Sequence, residues 1–292
     1  MTTELKLVAF DLDGVLYRGG QVLPGVPEAL DYLQERGLQI RFVTNNSTMH
    51  RSSVAKKLQD LGLPAHSDQV VGSAYATARY LAGRLPPYSS VLYLGEEGLG
   101  RELCEAGFEA VHVPVTREEM HAYEAQAEAT PGSQDAAVLR SPKAVVSSPA
   151  AVVVGLDRFF TYWGVAAAQH AVLSGALFVA TNTDVTIPME NRLFPGGGSM
   201  VAAVAACTSR EPFVVGKPGL AMAEVLAAAS GVDPGQTLFV GDRLDTDIAF
   251  GLAAGMVTAL VLTGVATRDD LEGSSAVPHY VLENLHDLPG IV

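Results

Sequence analysis

The stretch LKLVAFDLDGVL, from Leu5 to Leu16, decides the fold of the chain. The residues before Asp11 are apolar without alternation, which is typical of a strand buried on both faces inside a parallel sheet. Asp11 and Asp13 follow where this strand ends. Ligands of open α/β sheets bind at the carboxyl ends of strands, so two acids there favour a chemical role. Taken alone, Asp-Leu-Asp-Gly is also an ordinary polar turn after a strand.

The composition indicates a compact globular protein rather than a disordered one. It has 292 residues, of which 48% are hydrophobic and 17% charged, enough for a large core and for two domains. The formal net charge of -13 argues against a nucleic-acid partner, because phosphate backbones require clustered Lys and Arg. Any anionic substrate must therefore be held by a few local cations or by a metal ion.

Localisation and cysteine usage are consistent with a cytoplasmic protein. No apolar run approaches the roughly 20 residues of a membrane helix, and no basic-then-apolar leader opens the sequence. We therefore expect no membrane partner. Cys104 and Cys207 are far apart and match neither a disulfide framework nor a metal-ligand spacing.

A second strand end carries small hydrogen-bonding residues. The predicted strand Leu38 to Val43 leads into Thr44, Asn45, Asn46 and Ser47, ahead of a predicted helix. Hydroxyl and backbone N–H groups near a helix start can hold a phosphate group. The same residues are also preferred helix caps, so both interpretations stay open here.

A lysine follows the predicted strand Phe213 to Val215. Lys217 would supply a fixed positive charge at the carboxyl edge of the sheet. A P-loop is excluded, because Pro218 stands where that motif needs Ser or Thr for magnesium. An exposed lysine in a turn is the alternative interpretation.

The last motif is GDRLDTDI, after the predicted strand Thr237 to Val240. A helix beginning near Asp245 or Thr246 would bring Asp247 close to Asp242. Closely spaced acids repel one another unless a cation lies among them. Helix capping explains one of these acids but not all of them.

The pattern changes around Gly83 to Pro87. Further strand candidates from there to about Asp184, interleaved with helical stretches, predict a second α/β domain at 83–185, inserted between 1–82 and 186–292. Within it, Arg117 to Glu128 could form a helix, and the rest of Thr116 to Ser148 has the composition of a long surface loop.

These residues match the needs of one chemistry. Phosphoryl transfer requires a nucleophile, a hard cation held by carboxylates, donors for the nonbridging oxygens and a compensating positive charge. Asp11 with Asp13, Thr44 with Asn45, Lys217, and Asp242 with Asp247 meet these requirements together.

The motifs FDLDGVL, VTNNS, GKP and GDRLDTDI resemble, in this order, the four motifs of the haloacid dehalogenase (HAD) superfamily of phosphatases. VVVGLDRFF, ATNTD and LTGV extend the resemblance to subfamily IIA, the branch of NagD-like, 4-nitrophenylphosphatase, phosphoglycolate and pyridoxal phosphate phosphatases. The chain departs from the pyridoxal phosphate enzymes at Ile187, where they have a histidine, and its Thr116 to Ser148 segment is longer than expected.

The resemblance implies a Rossmann-like doubly wound parallel sheet with an inserted α/β cap of the C2 type. It also implies a Mg²⁺-dependent phosphatase acting on a small phosphorylated metabolite through an aspartyl phosphate, and it allows a homodimer formed through the cap. Asp11 is then the nucleophile and Asp13 the general acid and base. The implied phosphate-binding residues are Thr44, Asn45, Asn46 and Lys217. The implied metal-binding residues are Asp11, Asp13 through its carbonyl, Asp242, and Asp247 through water.

Two other functions share parts of this pattern. A receiver domain uses Asp, Mg²⁺, Thr and Lys on a doubly wound sheet for signalling, but it has its acid pair and its acceptor on different strands. A metal-free dehalogenase shares the nucleophile and has no need for Asp13, Asp242 and Asp247 together. Repeated turnover would exclude the receiver, and inhibition by EDTA with rescue by Mg²⁺ would exclude the dehalogenase.

Overall fold

A computed structural model describes residues 4–113, 116, 118–119, 121, 149–189 and 192–292 of the chain. The chain forms two compact units, and one of the boundaries between them falls within the helix Ser73–Ala82. The first unit comprises Met1–Asn45, Arg51–Ala76 and Gly216–Val292, and the second comprises Asn46–His50 and Thr77–Val215.

The first unit is built on a six-stranded parallel sheet. Its strands are β1 (Leu7–Phe10), β4 (Gln39–Thr44), β5 (Val70–Gly72), β13 (Thr237–Gly241), β14 (Val257–Val261) and β15 (Tyr280–Leu282), in the order β15-β14-β13-β1-β4-β5; a small hairpin pairs β2 (Tyr17–Arg18) with β3 (Gln21–Val22).

Strand β1 is central in this sheet, as its apolar sequence predicts. All four of its side chains are fully buried, and it pairs with β13 on one side and β4 on the other. A strand with two partners and two covered faces needs apolar residues at every position. The carboxyl ends of β1, β4 and β13 therefore lie side by side.

The described residues form eight α-helices. They are α1 (Val26–Glu35), α2 (Arg51–Asp60), α3 (Ser73–Ala82), α4 (Glu97–Glu105), α5 (Tyr162–Leu173), α6 (Gly197–Thr208), α7 (Leu220–Ser230) and α8 (Ala249–Ala253). In the described part of the chain, no helix is both long and apolar enough to cross a membrane.

The second unit has its own parallel sheet of five strands, in the order β12-β9-β8-β6-β7. These strands are β6 (Ser90–Leu94), β7 (Glu109–His112), β8 (Ala151–Val154), β9 (Leu177–Ala180) and β12 (Phe213–Val214), and an antiparallel hairpin joins β10 (Thr186–Met189) to β11 (Arg192–Pro195). Side chains of the sheet, α5 and α6 form one hydrophobic core.

The structure corrects the predicted place of the strand before Lys217. Phe213 and Val214 pair with Val179 and Ala180, so β12 belongs to the sheet of the second unit. Lys217 is therefore not at the end of a strand of the six-stranded sheet. The hairpin of β10 and β11 was not predicted, because its residues lack a clear alternation.

The inserted domain predicted at 83–185 lies within the second unit, whose boundaries fall earlier and later in the chain, at 76/77 and 215/216. The helix predicted at Arg117 to Glu128 and the loop predicted within Thr116 to Ser148 lie, for nearly all of their length, outside the described residues.

Candidate active site

Lys217 joins two of the predicted acids at the carboxyl edge of the six-stranded sheet. Its Nζ donates to Oδ1 of Asp11 at 2.5 Å and to Oδ1 of Asp247 at 2.7 Å. The side chains of Lys217 and Asp247 are only 3% and 2% exposed, and that of Asp11 is 13% exposed. The lysine is therefore a buried, ion-paired charge, and the alternative of an exposed turn lysine is wrong.

Asn45 holds the backbone of Lys217. Its Oδ1 accepts from the Lys217 N–H at 2.8 Å, and its Nδ2 donates to the Lys217 carbonyl at 3.0 Å. The Asn45 carbonyl in turn accepts from the Ser73 hydroxyl at 2.6 Å. These bonds give Lys217 its position beside β1 although no strand of that sheet leads to it.

Asp247 also organises the turn after β13. Its Oδ2 accepts from the backbone N–H groups of Asp242 and Arg243, both at 3.2 Å. The helical turn Leu244–Ile248 follows directly. Its N-cap is Arg243, and no side chain makes a capping bond there, so the predicted capping by Asp245 or Thr246 is wrong. Asp247 instead reaches back from within the turn and ties it to the end of β13.

Asp242 is fixed by the loop after β14. Its Oδ2 accepts from the Val265 N–H at 2.8 Å, and its carbonyl accepts from the Ala266 N–H at 3.0 Å. Gly264 approaches the same side chain so closely that a Cβ atom there would overlap Asp242. Gly264 is thus needed for space beside the carboxylate.

The acids oppose one another electrostatically. Burial raises the pKa of Asp11 well above its usual range, against the lowering effect of Lys217, and Asp247 and Asp242 raise it further. Burial, with Asp247 next, raises the pKa of Asp242 to about 7. Burial lowers the pKa of Lys217, but Asp11 and Asp247 outweigh it and the pKa rises overall, so the lysine stays charged.

The three carboxylates fit a hard divalent cation. Oxygen atoms of Asp11, Asp242 and Asp247 all lie within 4.8 Å of one another. Three ionised carboxylates against one ammonium leave two negative charges, and carboxylate oxygens are the ligands that Mg²⁺ and Ca²⁺ prefer. The Asp13 carboxylate is not in this group, and its role as a carbonyl ligand stays a prediction.

Asp13 is exposed and has partners that the sequence did not indicate. The Tyr17 hydroxyl donates to its Oδ2 at 3.4 Å, and Lys57 Nζ lies 3.9 Å from the centre of the Tyr17 ring. The surrounding protein removes part of the hydration of Asp13 and raises its pKa, although Lys57 and Tyr17 lower it. A raised pKa suits a group that must give and accept a proton near neutral pH.

The other two predicted phosphate-binding residues lie in different units. Thr44 is the last residue of β4 and is buried. Asn46 belongs to the second unit, where its Oδ1 accepts from both the N–H and the hydroxyl of Thr48 at 2.8 Å. The roles of both residues in phosphate binding stay predictions.

The chain is similar to known hydrolases over most of its length. The model of the haloacid dehalogenase-like hydrolases matches residues 8–109, and a second model of HAD-like hydrolases matches residues 214–288. The chain is 40% identical to phosphoglycolate phosphatase 1A of Arabidopsis thaliana over 276 residues, which cover 92% of this chain and 72% of the relative.

Two solved structures are similar over almost the whole chain. One is the p-nitrophenyl phosphatase from Archaeoglobus fulgidus, with a TM-score of 0.82, 32% identity and coverage of 99% of this chain and 100% of that chain. The other is the glycerol phosphate phosphatase Rv1692 from Mycobacterium tuberculosis in complex with magnesium, with a TM-score of 0.79, 34% identity and coverage of 98% and 76%.

The buried acids around Lys217, the parallel sheet that carries them and the matches over nearly the full length lead to one conclusion. The chain belongs to the haloacid dehalogenase-like hydrolase family.

Proposed function

We propose that this protein is a Mg²⁺-dependent phosphatase that hydrolyses small phosphomonoesters through an aspartyl phosphate on Asp11. The observation that carries the proposal is the ion pair of Lys217 with both Asp11 and Asp247, next to Asp242 at the end of β13. The relatives named above, all phosphatases, support the same reaction.

Asp11 is the nucleophile in this mechanism. Lys217 binds one oxygen of its carboxylate, which orients the group and leaves the second oxygen to attack phosphorus. The new bond joins this oxygen to phosphorus as the bond to the leaving oxygen breaks. Burial is the largest cause of the raised pKa of Asp11, and repulsion by Asp247 and Asp242 raises it further; a cation among the three would remove that repulsion.

Asp13 carries the proton in both half-reactions. It protonates the leaving oxygen in the first, and in the second it takes a proton from the water that attacks the aspartyl phosphate, which releases phosphate and restores Asp11. The Tyr17 hydroxyl and the positive charge of Lys57 face Asp13, and the exposure of its carboxylate lets it reach substrate and water.

Mg²⁺ is the proposed cation, and Asp11, Asp242 and Asp247 are the carboxylates available to hold it, directly or through water. When bound, Mg²⁺ supplies positive charge to the oxygens of the transferring phosphoryl group. Lys217 contributes a second positive charge, and Asn45 keeps that lysine in place. Thr44 and Asn46 are proposed as further hydrogen-bond donors to the phosphate group.

The substrate class is a small phosphomonoester. Relatives bear the names of phosphatases for phosphoglycolate, glycerol phosphate and p-nitrophenyl phosphate, which share only the phosphoryl group. We propose that the second unit, including the predicted cap at 83–185, selects among such esters, because the proposed acids and Lys217 all belong to the first unit. The cytoplasmic location and the homodimer through the cap stay predictions.

Phosphate release from a panel of esters tests the proposal. The panel contains phosphoglycolate, glycerol 3-phosphate, a hexose phosphate, a nucleoside monophosphate and p-nitrophenyl phosphate. We expect many turnovers with Mg²⁺, none with EDTA, and recovery when Mg²⁺ is restored. A single turnover per chain would favour the receiver-type function, and activity unaffected by EDTA would favour metal-free chemistry. No release from any ester would contradict the proposal.

A further inference from the structure

A second group of metal-binding side chains lies in the second unit. His50 Nε2 is 3.4 Å from Oε1 of Glu102 and 3.0 Å from Oε1 of Glu105. One nitrogen and two carboxylate oxygens from these residues all lie within 4.8 Å of one another. None of the three residues takes part in the mechanism described above.

The backbone holds this cluster in place. Glu102 and Glu105 are three residues apart on α4, so they lie on the same face of the helix. Gly98, in the first turn of α4, donates its N–H to the Thr48 carbonyl at 3.1 Å. A Cβ at Gly98 would lie only 2.6 Å from the backbone nitrogen of His50, so the glycine permits the backbone before His50 to approach α4 closely.

The charge of the cluster favours a cation. Glu102 is 1% exposed and His50 5% exposed, so both are withdrawn from water. One imidazole carries at most one positive charge, whereas two glutamates carry two negative charges. Arg101, which is half-exposed, has a nitrogen 4.0 Å from Glu105. A dication placed between the two carboxylates would be attracted by both, and the exposed side of Glu105 offers it a way in.

The types of ligand atom fit zinc. Ligand atoms about 2.0 to 2.2 Å from a tetrahedral Zn²⁺ lie about 3.3 to 3.6 Å from one another. The distance from His50 to Glu102, 3.4 Å, falls in that range, and the distance from His50 to Glu105, 3.0 Å, would have to lengthen by about 0.3 Å. Imidazole suits Zn²⁺ and similar transition metals, whereas Mg²⁺ prefers oxygen ligands alone. Within the described residues, the two groups of candidate metal ligands thus differ in the metal they favour.

We propose that His50, Glu102 and Glu105 form a second metal site, which binds a divalent transition-metal ion of the Zn²⁺ type. Three protein ligands leave a fourth position for water. The ion would fasten the segment Asn46–His50 to α4. The role is structural and is independent of the proposed phosphatase reaction.

Calorimetric titration of the full chain with Zn²⁺ tests this site, with Mg²⁺ present in large excess. We expect one Zn²⁺ per chain for the wild type and a rise in melting temperature. His50→Gln and Glu105→Gln should each lower the Zn²⁺ affinity by more than about 100-fold, because loss of an outer-shell partner alone costs about 10- to 100-fold. Glu105 is 42% exposed, so its substitution leaves the core intact.

Two controls locate the bound ion. Glu97→Gln changes an exposed glutamate of the same helix and should leave Zn²⁺ binding unchanged. Asp242→Asn changes the carboxylate site after β13 and should also retain the Zn²⁺. The proposal is overturned if the wild type binds no Zn²⁺ in excess Mg²⁺, if both cluster variants bind as the wild type does, or if Asp242→Asn abolishes binding. In those cases the cluster is only an ion pair between His50 and the glutamates.

Discussion

At the scale of single residues, Asp245 and Asp247 belong to the same short motif but have different surroundings. Asp245 is 71% exposed and pairs with Arg243, whereas Asp247 is buried and binds Lys217 together with two backbone N–H groups. An exposed ion pair contributes little to stability, about 0 to 1 kcal/mol. A buried carboxylate that neutralises a buried lysine cannot be replaced without leaving that charge uncompensated.

Substitutions of Asp247 and Asp245 give a matched test of the metal site. Asp247→Asn should lower the affinity for Mg²⁺ about 10- to 100-fold, the range for groups that support a metal, and should reduce kcat as well. Asp245→Asn should leave both quantities near wild type. Activity measured across a Mg²⁺ titration distinguishes the two variants. If the two variants have the same Mg²⁺ affinity and the same kcat, Asp247 does not contribute to the metal site.

The pKa of Asp242 predicts how pH affects the metal-free protein. Its folded value of about 7 lies above the usual 3.8, so the folded chain holds a proton that the unfolded chain releases. The stability this proton contributes is complete below about pH 4 and is lost as the pH rises through about 7. Metal binding needs the ionised carboxylate, so Mg²⁺ affinity should rise over the upper part of the same range.

Thermal melts with EDTA or Mg²⁺, at about pH 6 and about pH 8, measure this effect. The increase in melting temperature caused by Mg²⁺ should be larger at the higher pH in the wild type. The amide of Asp242→Asn does not titrate, so the increase in melting temperature that Mg²⁺ causes in this variant should be small and nearly independent of pH. A wild-type increase that is the same at both pH values would contradict the assigned titration.

At the scale of elements, the loop after β14 shapes the site without supplying a charged group. Gly264→Ala should push the Asp242 carboxylate aside, because the new Cβ would overlap it. A displacement of about 1 Å in a catalytic group can cost about 10²-fold in rate. We expect a loss of that order in kcat, with the protein still folded by circular dichroism.

Gly235→Ala is the matched control for that substitution, because open space surrounds Gly235 and its backbone does not require glycine. It should leave kcat and the affinity for Mg²⁺ unchanged. If Gly264→Ala also retains full activity, the fit between this loop and Asp242 does not matter for the reaction.

Some of these elements could be predicted from the sequence and others could not. The buried strand before Asp11 and the acids after β13 could be predicted, because an apolar run and a cluster of carboxylates are visible among neighbouring residues of the sequence. The bonds from Asn45 to Lys217 span 172 residues, and the placement of β12 depends on pairing with β9. Such contacts are set by tertiary packing and leave no periodic pattern in the chain.

Within the site, the proximity of Tyr17 and Lys57 to Asp13 could not be predicted from the sequence either. Tyr17 reaches Asp13 from four residues along the chain because a turn leads into β2, and Lys57 approaches from α2. A tyrosine after a turn and a lysine on a helix have ordinary structural roles in most proteins. Their relation to Asp13 becomes visible only when the elements are placed together.

At the scale of the whole molecule, chemistry and substrate choice are proposed to lie in different units. Replacing residues 83–185 by the corresponding segment of a related phosphatase should transfer its preference among esters while leaving the dependence on Asp11 and Mg²⁺ intact. The ratio of kcat/KM values for phosphoglycolate and glycerol 3-phosphate measures this preference. A ratio that stays with the recipient protein would place specificity outside residues 83–185.

The central claim is that Asp11 becomes phosphorylated and that Asp13 then promotes hydrolysis. Removing a positioned acid or base costs about 10²- to 10⁴-fold, but p-nitrophenolate leaves without much help from a proton. In Asp13→Asn, phosphorylation by p-nitrophenyl phosphate should therefore be partly retained while hydrolysis of the aspartyl phosphate becomes slow.

Rapid acid quench of Asp13→Asn with p-nitrophenyl phosphate, followed by mass spectrometry of its peptides, is the most direct measurement. The account predicts a burst of about one p-nitrophenolate per chain, together with a phosphoryl group on the peptide that contains Asp11. Asp11→Asn should show neither. Steady turnover without a burst, or phosphate attached to another residue, would contradict the account.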